Sequence, residues 1–135
     1  CDTLGDEELK KQFAEMDLKI SHNIQNIALD NGALNNEREN DKIDKKRVWW
    51  VEAESVVGFI NAYQHSGEKK FLESARSVWE YIKAEMIDKR EGSEWYSEVS
   101  YDHKPHDWKE IVGPWKCPYH NGRMCMEVIN RGVDF

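Results

Sequence analysis

The sequence predicts an all-α fold: about four helices forming two stacked helical hairpins, with a short β-hairpin or loop insertion. Three observations predict it. Apolar residues recur at steps of three or four through long stretches. The stretches alternate between one apolar stripe and apolar residues on several faces, as outer helices alternate with inner ones. Turn-forming residues separate them.

The first stretch runs from Glu7 to Leu29. Leu9, Phe13, Met16, Ile20, Ile24 and Ile27 make one stripe, with Lys10, Lys11, Glu15 and Lys19 opposite. Asp30-Asn31-Gly32 reads as its stop, because Gly tolerates positive φ. Residues 33–46 are polar and read as a long loop, with a short strand near Ala33-Leu34. The basic cluster Lys42–Arg47, interrupted by Ile43 and Asp44, reads as a solvated helix entry.

A second helix is expected from Arg47 to His65, ending at Gly67. Trp49, Ala53, Val56, Ile60 and Tyr63 form an apolar stripe. Trp50, Glu54, Gly58 and Asn61 form a mixed one, so this helix should be the more buried. A third runs from Lys69 to Ile87, with Phe71, Ala75, Val78, Ile82 and Met86 on one face. Residues 94–99 alternate like a short strand. Pro118 fits a first helical position, so a last, buried helix is expected from there to Arg131. Four such helices leave apolar edges bare at both ends. A hairpin array needs more units or caps to close. With Cys as its first residue, the chain reads as residues 1–135 of a larger domain, or as a chain with an obligate partner.

Composition narrows the function. The chain has 135 residues, 39% apolar and 33% charged, which suits one domain or a piece of one. The net charge of −7 gives no general pull on phosphate backbones, so nucleic acid is excluded as a partner. No apolar run reaches membrane-spanning length and no signal peptide is visible, so no membrane is expected. Three cysteines (Cys1, Cys117, Cys125) are too few and too odd for a disulfide framework, which favours a cytoplasmic setting. Six Trp supply apolar plates with a donor edge, suited to cores and to sugar stacking alike.

Several residues carry possible chemistry. His120 falls in the first turn of the last helix, where the dipole disfavours imidazolium. A neutral imidazole is what a general base needs; the alternative is a His that caps or packs. Trp115 before it offers an apolar wall. Trp50 and Glu54 are four apart on one helix face, an aromatic plate beside a carboxylate, as a sugar site uses. They read equally well as a core Trp and a surface acid. Arg123 shares a face with His120 and suits a hydroxyl, an enolate-like oxygen or a surface salt bridge. Cys117 with His120 and Cys125, and His103 with His106, are metal-like pairs, but zinc sites take four ligands, so no metal is expected. No nucleophile elbow, phosphate loop or dinucleotide fingerprint is present, so no cofactor is expected.

Arg47-Val-Trp-Trp-Val-Glu-Ala-Glu-Ser-Val-Val-Gly-Phe59, Asn61-Ala-Tyr63 and Trp115-Lys-Cys-Pro-Tyr-His-Asn-Gly-Arg123 resemble the C-terminal motifs of cellobiose 2-epimerases. Asn35-Asn36-Glu37 also fits the loop before the double Trp in that family. N-acylglucosamine 2-epimerases and mannose/aldose isomerases share parts of both motifs. The resemblance implies an (α/α)6 barrel, with this chain as roughly its last third. It implies a small-molecule sugar substrate, no cofactor, and transfer of the C2 proton between two His through a cis-enediol. His120 matches one of these two. Trp50, Glu54 and Trp115 match sugar-site residues, and Arg123 is a further carry-over. The second His of the family belongs to a Gly-His-Asp-Ile-Glu-type segment expected just before Leu4. His22, His65, His103 and His106 do not replace it. The chain is therefore expected to need the N-terminal part of the barrel and to be inactive alone. Another isomerase of the superfamily, a non-catalytic sugar-binding helical module and a glycoside hydrolase on the same barrel are the competing readings.

Overall fold

The computed structural model describes residues 4–134, so Cys1 lies outside the described residues. Helix α1 spans Glu7–Ile27. The Asp6 carboxylate caps it by accepting from the Leu9 N–H at 2.9 Å. Glu7 and Glu8 in the first turn complement the dipole. Its inner side carries Leu18 and Ile24 onto the core, and the cap residue Ala28 follows them. The predicted stripe is mostly turned outward instead: Phe13, Met16, Ile20 and Ile27 are all exposed.

The helix stops at Ile27 because Leu29 enters a hairpin. Strands β1 (Leu29–Asp30) and β2 (Ala33–Leu34) pair antiparallel across Asn31-Gly32. Both turn residues have positive φ, 53° and 83°, as a two-residue type I′ turn requires. The expected helix stop is thus a hairpin turn. A second hairpin pairs β3 (Glu37–Glu39) with β4 (Lys42–Asp44), so the expected loop is largely strand. Strand β5 (Arg47–Val48) pairs with β6 (Glu98–Val99).

Arg47 corrects the solvated-entry reading, since it is only 2% exposed. Its guanidinium donates to Asn35 Oδ1 at 2.9 Å and to the Asp30 carbonyl at 2.8 Å. Those acceptors satisfy a charge that burial would otherwise penalise heavily.

Helix α2 spans Trp49–Ser66 and α3 spans Lys69–Tyr81. Gly67 joins them with φ 74°, and its N–H closes onto the Tyr63 carbonyl. The chain does not continue as α-helix to Ile87. It widens into a π turn over Ile82–Met86, and both of these end residues are fully buried. Phe71, Ala75 and Val78 meet Ala53, Val56 and Ile60 in the core. Only Glu98–Val99 of the expected strand forms, with Trp95 bridging Ile87.

Helix α4 spans Tyr119–Arg131, with Pro118 as its cap residue. It was expected to be buried, yet only Asn121 and Met124 are. Met126 and Ile129 face solvent, because α4 packs on α2 along one side. No helix among the described residues is long and apolar enough to cross a membrane.

Candidate active site

The first turns of α2 and α4 meet at their N-terminal ends. Helix α2 presents Trp49 inward, 5% exposed, and Trp50 outward, 46% exposed. One turn after Trp50 comes Glu54. From α4, His120 places Nδ1 2.7 Å from Glu54 Oε1. Arg123, one turn further, donates from Nη2 to Glu54 Oε2. Each Glu54 oxygen therefore holds one partner, and the carboxylate ties α2 to α4. The His120 ring lies edge-on to Trp49 at 5.2 Å and tilted to Trp50 at 6.0 Å.

This geometry has a chemical consequence. When the Nδ1 proton is donated to Glu54, the opposite ring nitrogen carries the lone pair. A histidine held in that tautomer can take a proton from a carbon acid beside it. Glu54 keeps the ring oriented, and Arg123 holds Glu54. The sequence-predicted residues Trp50, Glu54, His120 and Arg123 thus form one cluster. Trp115 stands apart from the ring contacts and is 94% exposed. It lines a cavity of about 450 Å³ that also includes Trp49 and Trp50.

A second cavity, about 330 Å³, lies on the other side of Trp50 and Glu54 and is walled by Asn35, Asn36 and Ile24. Asn36 is fixed by its bond to Asp44 at 2.9 Å. Glu37 is exposed on β3. The remaining histidines are engaged elsewhere: His22 with Glu68, His103 with Glu85 and His106 with Glu98. His65 is exposed at the end of α2. Among the described residues no group of three or more His, Cys, Asp or Glu could hold a metal. Cys117 and Cys125 are both exposed and unpaired.

Sequence reasoning missed the groups that brace this cluster. Lys116 is 6% exposed and inserts its ammonium between Glu94 and the Ile111 carbonyl, 2.6 Å away. Asn121 donates to the other Glu94 oxygen. Glu94 thereby anchors both the 111–118 loop and the first turn of α4, next to His120. A Lys beside a fully exposed Trp gave no pattern to read. Glu52 is fully buried and accepts the Leu34 N–H at 3.0 Å. Desolvation pushes its carboxyl up to about 8, against the smaller opposing pull of Leu34 and Arg47. It pins the loop carrying Asn35 and Asn36 beneath Trp50. The signal for it was its placement on the buried side of α2, two residues from Glu54.

The pattern of the N-acylglucosamine 2-epimerase (GlcNAc 2-epimerase) family matches residues 14–122. The chain belongs to that family. Cellobiose 2-epimerase of Ruminococcus albus is 81% identical over 134 residues, which is 99% of this chain and 34% of the relative. A crystal structure of a sugar epimerase from a ruminal bacterium superposes with a TM-score of 0.97 at 80% identity. It covers 100% of this chain, which covers 35% of it. Cellobiose 2-epimerase from Bacillus thermoamylovorans gives 0.81 at 50% identity, over 84% of this chain and 29% of that one. The chain spans about a third of the length of the curated relatives it matches. Its helices belong to the (α/α)6 barrel of the N-acylglucosamine 2-epimerase family.

Proposed function

We propose that residues 1–135 form the C-terminal portion of a single (α/α)6-barrel catalytic domain that epimerises a reducing sugar at C2. The preferred substrate is cellobiose or a similar β-1,4-linked disaccharide, whose reducing-end glucose becomes mannose. The observation that carries this reading is the His120–Glu54–Arg123 cluster set against the face of Trp50. His120 exchanges the C2 proton on one face of a cis-enediol. A second His, supplied from outside residues 1–135, serves the other face. Trp50 and Trp115 provide plates for the sugar rings, and neutral sugars need no charged cradle.

The similarity to cellobiose 2-epimerases supports this substrate class. The open faces support a need for the rest of the barrel: Phe13 and Met16 on α1 and Ile129 on α4 stand in water. The chain alone is then inactive, and it works in the cytoplasm, which its unpaired exposed cysteines suit. The test joins residues 1–135 to the part of the Ruminococcus albus relative that they do not cover. Cellobiose should yield its mannose-ended epimer, read by nuclear magnetic resonance. A ketose product would instead favour an aldose isomerase, and release of glucose would favour a hydrolase.

A further inference from the structure

Glu94 reaches the chain on both sides of His120. Its backbone is pinned just after the π turn: the Asp88 N–H donates to the Glu94 carbonyl at 2.8 Å, and the next residue, Trp95, bridges Ile87. From there one carboxylate oxygen accepts from the Lys116 ammonium and the other from the Asn121 amide. Lys116 precedes His120 by four residues, and Asn121 follows it directly. Both partners are buried, 6% and 8% exposed. An ionised carboxylate only accepts, so it turns Nδ2 of Asn121 towards itself. The amide oxygen of Asn121 has no protein partner among the described residues, so Glu94 alone sets how that amide points.

Helix α4 needs this hold. It has no side-chain cap and no acidic residue in its first turn, where uncapped N–H groups leave a helix end prone to fray. His120 lies in that turn. Its ring is oriented by Glu54 at Nδ1 and by the edge-on Trp49. Those contacts govern how the ring is turned; where the turn of backbone beneath it stands falls to Asn121. Lys116 supports the same place from the loop, its ammonium 5.7 Å from the Trp49 ring that meets His120.

We propose that Asn121 and Glu94 are positioning residues, which hold the first turn of α4 so that the free nitrogen of His120 meets C2 of the sugar. This rests on the two-His reading given above. A misplacement of about 1 Å at a reacting group can cost about a hundredfold in rate, and losing one of several holds on His120 should cost about tenfold. The test uses the joined barrel and its Asn121→Ala, Asn121→Asp and His120→Ala variants. Loss of the C2 proton in heavy water is followed separately from the glucose-ended and the mannose-ended disaccharide. His120→Ala identifies the epimer that His120 serves. Asn121→Ala should exchange that epimer about tenfold more slowly at saturating sugar, with KM little changed, and the other epimer at the unaltered rate. Asn121→Asp keeps the shape but offers Glu94 no donor, and should lose the same exchange. Equal slowing of both epimers would mark a merely structural role and overturns the inference, as does loss of the fold in both Asn121 variants by circular dichroism. If the unaltered barrel works and the Asn121 variants match it, the inference fails while the two-His reading stands. If the unaltered barrel exchanges neither epimer, both fail together.

Discussion

Replacing Glu52 by Gln should change how stability depends on pH, not merely how large it is. Glu52 is fully buried in the first turn of α2. Its folded-state pKa of about 8 stands well above the ordinary 4.5. Between these values the folded chain keeps a proton that the unfolded chain has released. Stability from this group is therefore complete below about pH 4.5 and is lost as pH rises towards 8. The slope is about 1.4 kcal/mol per pH unit, and the whole loss is on the order of 4–5 kcal/mol. Gln has no such proton, but its amide oxygen can still accept the Leu34 N–H. Urea unfolding of both chains at pH 5, 6, 7 and 8 measures the effect. The difference in stability should move in favour of Glu52→Gln by about 1.4 kcal/mol per unit. Parallel pH profiles would refute the claim that the Glu52 carboxyl is held neutral by desolvation.

Other residues give simpler expectations. Phe71→Ala should lower stability by about 3–5 kcal/mol in denaturant unfolding, because Phe71 is fully buried between Phe59 and His22. Lys116→Met should cost about 2–3 kcal/mol, since it strips Glu94 of its ammonium partner while Glu94 retains partial solvation. The same variant should shift the Trp49 indole resonance, because the Lys116 ammonium lies 5.7 Å from that ring; an unmoved resonance would show that Lys116 does not brace the site.

The helices were legible because burial repeats at their period. Phe71, Ala75, Val78, Ile82 and Met86 read as one face, and all are buried. The π turn within that face was not legible, since its spacing of four fits an α-helix as well. The hairpins were legible only in part: the strand at Ala33-Leu34 was expected, but neither its pairing with Leu29-Asp30 nor the hairpin of β3 and β4 was. Strands of two or three residues carry no alternation, and only Asn31-Gly32 marked them. The exposure of α4 was missed because apolar periodicity says which face seeks cover, not what covers it. At the site, Trp50 with Glu54 and His120 with Arg123 could be paired by helical spacing alone. That His120 and Glu54 bond to each other, 66 positions apart, required the fold. So did the inward turn of Lys116 beside the outward Trp115.

His120 is proposed above as one of two proton carriers, each serving one face of the sugar. The most direct measurement follows loss of the C2 proton in heavy water, using the joined barrel and its His120→Ala variant. Each is supplied separately with the glucose-ended and the mannose-ended disaccharide. The His120→Ala variant should still exchange the C2 proton of one epimer, through the other His, and form no product from either. Exchange of both epimers at the unaltered rate, or continued epimerisation, would contradict it.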